Sequence, residues 1–244
     1  MRAIGVIPAR LASTRLPEKL LRIIAGKTLL EWTWRNALRS RALDEVVIAC
    51  DDERIFEVAA DFGARVRMTS QEHQSGTDRI AEAVEEIEGD VIVNVQADEP
   101  LVHPSVIESL VKAMAASADE VMATVIVPVT DARAMDNPNV VKVVVDAEGH
   151  ALYFSRARIP FLRDADREVT YYRHMGIYAY RKPFLKTFTA LPKSTLEQIE
   201  KLEQLRVLEA GYKIKTVVTG HESIGVDTAE DLAAVAAIIE RQST

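Results

Sequence analysis

Ala3-Ile4-Gly5-Val6-Ile7-Pro8-Ala9-Arg10-Leu11-Ala12-Ser13-Thr14-Arg15-Leu16-Pro17-Glu18-Lys19 is the stretch whose reading decides the fold of this chain. Residues 3–7 form a short apolar run, which is the pattern of a strand buried on both faces of an α/β sheet. Three cations, Arg10, Arg15 and Lys19, follow in a loop broken by Pro8 and Pro17. A loop at the carboxyl end of a parallel strand is where open α/β folds bind ligands. Cations there, among small residues that leave backbone N–H groups accessible, suit a polyphosphate. The loop is neither Gly-x-x-x-x-Gly-Lys-Ser/Thr nor Gly-x-Gly-x-x-Gly. Read alone, it also fits a solvated surface loop.

Working outward, strand-like runs recur at 45–49, 65–68, 90–95 and 121–127. Between them apolar residues fall at i, i+3, i+4 spacing, as in Ile80, Ala81, Val84 and Ile87. This alternation implies parallel strands joined by crossover helices. The pattern changes beyond residue 130. Residues 140–145 and 151–155 flank the turn Asp146-Ala147-Glu148-Gly149 and read as a hairpin. A charged excursion, 156–169, precedes an aromatic strand at 171–181. A helix is expected with Leu196, Ile199, Leu202, Leu205 and Leu208 on one face, then a strand at 212–218 and a last helix from about Thr228. The expectation is one α/β domain over 1–244 with a mostly parallel sheet and an inserted, partly antiparallel subregion at about 151–190.

The chain has 244 residues, 48% hydrophobic and 27% charged, the balance of a globular protein with a sizeable core. A net charge of −7 argues against a general nucleic-acid surface but leaves an anionic small molecule open, since local cations decide that. No apolar run reaches membrane-spanning length, and the first residues lack a signal-peptide segment. A single cysteine, Cys50, rules out an internal disulfide and a cysteine zinc cluster. These features together suggest a cytoplasmic location. Cys50 ends an apolar run, where packing is the expected role.

Chemistry concentrates in a few places. The apolar run 91–95 ends in Gln96-Ala97-Asp98-Glu99-Pro100. A carboxylate at that carboxyl end faces the same crevice as the Arg/Lys loop, and an acid beside a triphosphate calls for a magnesium ion between them. Alternatively Asp98 or Glu99 caps the helix that starts near Pro104. In Gly225-Val226-Asp227-Thr228-Ala229-Glu230-Asp231, either Asp227 with Glu230 or Thr228 with Asp231 makes a capping box. Gln74-Ser75-Gly76-Thr77-Asp78-Arg79 opens a helix and suits a nucleobase, an anion or a plain N-cap. The five histidines show no metal-ligand spacing, and no Gly-x-Ser-x-Gly turn occurs. His174 and Tyr178 share one strand face, where core aromatics are the ordinary explanation, and Glu203-Gln204 read as the solvated side of the Leu-rich helix.

The opening Ile-Pro-Ala-Arg-Leu-Ala-Ser-Thr-Arg-Leu-Pro-Glu-Lys resembles the signature of the 3-deoxy-manno-octulosonate (KDO) cytidylyltransferase family. Further segments fall in the family's order: His73-Gln74-Ser75-Gly76-Thr77, Val93-Asn94-Val95-Gln96-Ala97-Asp98-Glu99-Pro100, Tyr153-Phe154-Ser155-Arg156, His174-Met175-Gly176-Ile177-Tyr178, Leu202-Glu203-Gln204-Leu205-Arg206 and Gly225-Val226-Asp227-Thr228. The resemblance implies a Rossmann-like nucleotidyltransferase sheet and transfer of CMP from CTP to the anomeric hydroxyl of KDO for lipopolysaccharide synthesis. It implies that Ala9, Arg10, Arg15 and Lys19 hold the CTP phosphates, with Lys19 and Arg15 also stabilising charge at the bridging oxygen. It places Gln74, Ser75, Gly76 and Arg79 near the base and ribose, and Asp98 and Asp227 on Mg2+. Gln96, Arg156, His174, Tyr178, Glu203 and Gln204 match sugar-binding positions, with Arg156 and His174 suited to the sugar carboxylate. A homodimer is implied, with the inserted subregion supplying contact, and neither nucleic acid nor membrane is a partner. Three positions depart from the family's usual residues: Ala97 and Glu18 stand for Gly, and Cys50 for Thr. Ala97 requires a negative φ, while Glu18 either weakens CTP binding or turns to solvent. Other readings are the same chemistry on 8-amino-KDO or sialic acid, and a non-catalytic nucleotide sensor. A nicotinamide-dependent reductase lacks its glycine fingerprint.

Overall fold

A computed structural model describes residues 1–242 apart from Thr14, Thr130 and 165–167, and leaves the side chains of Ala132 and Gln242 undescribed. Thr14 of the Arg/Lys loop, and 165–167 of the charged excursion, lie outside the described residues. The chain forms two compact units, Met1–Val111 with Ser223–Thr244, and Lys112–Glu222.

The first unit runs β1 (Ala3–Ala9), a 3₁₀ turn (Lys19–Leu21), β2 (Ile23–Ile24), β3 (Lys27–Thr28), α1 (Leu29–Leu38), β4 (Glu45–Cys50), α2 (Glu53–Asp61), β5 (Arg65–Met68), α3 (Gly76–Ala83), β6 (Val91–Asn94) and α4 (Pro104–Ala116), the last continuing past the unit's boundary. Its main sheet is wholly parallel, in the order β5-β4-β1-β6. The strands expected at 3–7, 45–49, 65–68 and 90–95 are all present. β1 is buried almost throughout, because crossover helices cover a parallel sheet on both faces. Gly5 lets Leu43 pack closely there: a Cβ on it would lie 2.7 Å from Leu43 Cδ1, and that side chain would have to shift. The helices start on side-chain caps, with Thr28 accepting from Glu31 N, Asp52 from Arg54 N and Ser75 from Asp78 N. From β1 the chain steps outward through β4 and β5, then returns to the other side of β1 as β6. The carboxyl ends of β1 and β6 therefore flank a topological switch point, where a crevice opens.

The second unit contains β7 (Met122–Val129), α5 (Ala132–Asp136), β8 (Lys142–Val145), β9 (Ala151–Ser155), β10 (Tyr171–Arg181), α6 (Lys182–Ala190), α7 (Thr195–Glu200), α8 (Leu205–Glu209) and β11 (Lys215–Val218). β11 pairs with β7 in parallel, whereas β7–β10, β10–β8 and β8–β9 are antiparallel. The expected hairpin is β8–β9. The single Leu-rich helix is not observed. It is two short helices, and Lys201 between them is left-handed at φ 55°. The physical reason lies in the spacing. A three-residue repeat drifts about 60° per step around a helix of 3.6 residues per turn, so it holds no common face. Accordingly Ile199 is 72% exposed while Leu202 and Leu205 are buried. Gln204, expected on a solvated side, is 3% exposed because it lies at this junction. The first unit resumes with α9 (Ala229–Gln242).

Candidate active site

The loops after β1 and β6 and the turn before α9 meet within the first unit. Lys19 Nζ lies 2.7 Å from Asp98 Oδ2, 3.0 Å from Asp227 Oδ1 and 2.7 Å from the carbonyl of Val226. Arg15 reaches the other oxygen of Asp227 at 2.9 Å. Asp98 is held by its neighbours' backbone bonds. Thr33 Oγ1 of α1 donates to the Ala97 carbonyl at 2.9 Å, Asn36 to that of Pro100, and Val226 N–H to the Asp98 carbonyl at 2.9 Å. Neither Asp98 nor Asp227 is the helix cap that its position allows. His103 Nδ1 accepts from Ser105 N–H at the start of α4. Thr228 and Asp231 cap α9 reciprocally, Thr228 Oγ1 accepting from Asp231 N–H while Asp231 accepts from Thr228 N–H. Asp227 thus keeps its carboxylate for the two cations. Burial opposes the charge on Lys19, and attraction to Asp98 and then Asp227 outweighs it, so its pKa stands above the usual 10.5.

These residues line a cleft of about 450 Å³, together with Arg10, Gln74, Ser75, Gly76, Gln96 and Arg79. Arg10 is exposed, whereas Ala9 is fully buried and offers only its backbone. Ser75 Oγ is engaged as the N-cap of α3, and Gln96 Nε2 donates to Asn94 Oδ1 at 3.0 Å. Arg79 is 4% exposed and is committed to the protein: it donates to Thr69 Oγ1 at 2.6 Å, to the Ser70 carbonyl and to Asp51 Oδ2 at 2.8 Å. It acts as a wall of the cleft that orders its neighbours. Ala97 is not among the positive-φ residues, so the methyl is tolerated there. Glu18 does sit left-handed at φ 53°, which accounts for the glycine usual at this place. Its carboxylate turns away to Arg54, 2.7 Å distant. Cys50 is buried, and burial pushes its thiol up to about 11, as suits a packing residue.

The sugar-side candidates other than Gln96 lie in the second unit. Arg156 donates to the carbonyls of Glu200 at 2.7 Å, Pro138 at 2.9 Å and Lys201 at 3.4 Å, so its guanidinium clasps three carbonyls from two backbone segments. His174 Nε2 lies 2.8 Å from Thr124 Oγ1, and its ring packs on Phe154 and Tyr178. Burial lowers its pKa from 6.5 to about 3, so the imidazole is neutral and offers hydrogen bonding without charge. Tyr178, its phenol held protonated by burial, donates to Gln204 Oε1 at 3.2 Å. Gln204 Nε2 is buried and makes no hydrogen bond. Glu203 lies 3.9 Å from Arg206.

Sequence reasoning missed Asp51. Its Oδ1 accepts from Leu11 N–H at 3.2 Å while Oδ2 holds Arg79, tying the Arg/Lys loop to the wall of the cleft. The signal was present: Asp51 follows the apolar run 45–50, the same carboxyl-end position that marked Asp98. The cleft also includes Ala12, Ser13 and His73, to which the sequence reading gave no individual role.

A cytidylyltransferase family model matches residues 4–214. A 3-deoxy-manno-octulosonate cytidylyltransferase of Chloroherpeton thalassium is 49% identical, covering 99% of both chains. Its counterpart in Solibacter usitatus is 47% identical, over 97% of this chain and 94% of that one. Among solved structures, CMP:2-keto-3-deoxy-manno-octonic acid synthetase complexed with CTP is similar at a TM-score of 0.95 and 40% identity, covering 99% of this chain and 100% of that one. A 4-diphosphocytidyl-2C-methyl-D-erythritol synthase from Anaerococcus prevotii has a TM-score of 0.65 at 15% identity over 98% of this chain and 99% of its own, and shares the fold.

Proposed function

The chain belongs to the cytidylyltransferase family, and on that premise we propose that it transfers CMP from CTP to the anomeric hydroxyl of KDO, releasing pyrophosphate. The observation that carries the reading is Lys19 clasped between Asp98 and Asp227, with Arg15 beside them and Arg10 in the same cleft. Cations and carboxylates are interleaved at one strand-end crevice, as a polyphosphate with a counter-cation requires. The relatives' names do not favour sialic acid or 8-amino-KDO as acceptor, and the sensor reading has no missing acid or cation to support it.

The donor set fits magnesium. Asp98 and Asp227 are two carboxylates, 30% and 45% exposed, that already share one cation, the Lys19 ammonium. We assign them as the residues that hold Mg2+. Bound there, the ion would neutralise the triphosphate and lower the pKa of the attacking hydroxyl. Arg10, Arg15 and the backbone from Ala9 onward bind and orient the phosphates, and Lys19 balances charge on the departing pyrophosphate. The KDO oxygen forms its bond to the α-phosphorus as the α–β bridging P–O bond breaks, and the hydroxyl proton is lost. Gln74, Ser75 and Gly76 meet the base and ribose, with Arg79 ordering that wall.

For KDO, we assign Gln96 in the first unit, and separately the Tyr178–Gln204 pair in the second unit, as residues that bind hydroxyls. The buried Gln204 Nε2, without a hydrogen bond, is the donor that such a ligand satisfies. Within the second unit, the neutral His174 and the neighbouring Arg156 and Glu203 are assigned to the same sugar. We also infer a homodimer, supported by Leu152 and Phe161, which are 61% and 85% exposed in the inserted subregion. A cytoplasmic role in lipopolysaccharide synthesis follows from the same reading. Among the described residues no helix is long and apolar enough to cross a membrane.

Asp98→Asn tests the assignment. It should cut CMP-KDO formation about 100-fold or more with an unchanged circular dichroism spectrum. A near-parental rate at saturating magnesium would remove Asp98 from the metal.

A further inference from the structure

The turn joining β8 to β9 carries an arrangement of Asp146, Glu148 and His150 that hydrogen bonding within the chain leaves incomplete. His150 is 8% exposed, and its Nε2 lies 2.9 Å from Glu120 Oε1. That contact fixes the ring, and with Nε2–H donating to the carboxylate it has the form of the outer half of a carboxylate–histidine–metal triad. Nδ1 is buried and makes no hydrogen bond. It faces Asp146 Oδ2 and Glu148 Oε2, each 3.6 Å away. With the Nε2–H directed at Glu120, Nδ1 presents its lone pair to these two carboxylates, an arrangement that a cation among the three atoms would stabilise, and 3.6 Å is too long for a hydrogen bond.

The spacing suits a metal. The three ligand atoms lie within 4.8 Å of one another, and tetrahedral zinc with bonds of about 2.0–2.2 Å sets its ligand atoms roughly 3.3–3.6 Å apart. Asp146 uses its other oxygen, Oδ1, to accept from Glu148 N–H at 2.9 Å and His150 N–H at 2.8 Å, which leaves Oδ2 for the cation. Lys213 Nζ, 3.6 Å from Glu148 Oε2, is the competing cation, but that pair is 68% and 72% exposed and weak.

We propose that Asp146, Glu148 and His150 bind a divalent transition metal of the zinc or cobalt class, with Glu120 orienting the imidazole. One imidazole with two carboxylates is a poor set for magnesium, which favours oxygen ligands and retained water. All four residues belong to the second unit, whereas the nucleotide cleft is built from the first, so the site is separate from the metal assigned to catalysis. A bound ion would join the turn to His150, whose backbone bridges Lys215 beside β11, and so clamp the hairpin to that strand.

The full-length protein, stripped by chelation and then saturated with Mg2+, is titrated with Zn2+ while the His150 ring resonances are followed, and zinc-soaked crystals are measured at the zinc edge. One ion should bind, shift those resonances and give an anomalous peak among the three side chains. Glu148→Gln, at an exposed position, and Asp146→Asn, which retains the Oδ1 acceptor, should each weaken binding about 10-fold or more with unchanged circular dichroism. Zinc bound equally by parent and both variants, an unmoved His150 signal, or a peak elsewhere would overturn the proposal.

Discussion

Lys19 and Asp98, 79 residues apart in the chain, are joined by a 2.7 Å charge-assisted bond at the mouth of β1 and β6. The ammonium lies between Asp98 and Asp227, so on the proposed magnesium assignment protein and metal would compete for one pair of carboxylates. Its charge offsets the mutual repulsion of the two neighbouring acids.

Lys19→Met separates these roles. Without the ammonium, Asp98 and Asp227 repel one another, and stability should fall by about 2 kcal/mol in chelator. Added magnesium should raise the melting temperature of the variant more than that of the parent, because no cation must be displaced, while turnover stays low. Equal magnesium responses would show that the ammonium and the metal occupy different places. In the parent, the contribution of Lys19 is fully present below its unfolded value of 10.5, since the folded-state pKa is raised. It is lost only as pH climbs beyond that value.

His174 should remain neutral throughout the working range. Its folded-state value of about 3 lies below the unfolded 6.5, so between those values the unfolded chain holds the additional proton. The contribution to stability is complete above pH 6.5 and declines as pH falls toward 3. Imidazole nitrogen shifts followed from pH 8 to 5 should stay flat for His174. A midpoint near 6.5 would show a solvated ring able to pair with the sugar carboxylate as a cation.

Glu197 and Arg206 are 9% and 7% exposed and meet through two bonds of 2.8 and 2.6 Å. They join α7 to α8 across the break at Lys201. Burial penalises the Glu197 charge, and the Arg206 and Ser194 hydrogen bonds outweigh it, leaving its pKa below the usual 4.5. The pair therefore stabilises fully above that value and is lost as pH falls through the lowered one. Glu197→Ala removes the two short bonds of a buried guanidinium, leaving Glu203 at 3.9 Å, and should cost about 3–5 kcal/mol in urea unfolding. A loss under 1 kcal/mol would mean that Arg206 finds another acceptor.

What was legible in the sequence follows from the kind of signal each part emits. Period and burial write themselves into composition, so β1, β4 and β6 could be read from apolar runs, β5 from the alternation Arg65-Val66-Arg67-Met68, and the strand-end acids from their position after such runs. The α7–α8 break could not, because it depends on one residue, Lys201, adopting a left-handed backbone that its side chain does not advertise. The pairing of Lys19 with Asp227 joins residues 208 apart and exists only once β1 and the turn before α9 are brought together. Capping was undecided for the same reason. Asp227 and Thr228 are both competent caps, and the contact with Lys19 and Arg15 accompanies the choice of Thr228. The surroundings of Arg156 were equally illegible: its motif matches a sugar-binding position, and only the fold shows three backbone carbonyls around its guanidinium.

Pyrophosphate release by the purified protein with magnesium, across CTP, ATP, GTP and UTP and across KDO, 8-amino-KDO and sialic acid, bears most directly on the assigned reaction. Release should occur with CTP and KDO together and fall to background when either is replaced or omitted. No release from folded protein that binds CTP, or release that follows a different sugar, would contradict it.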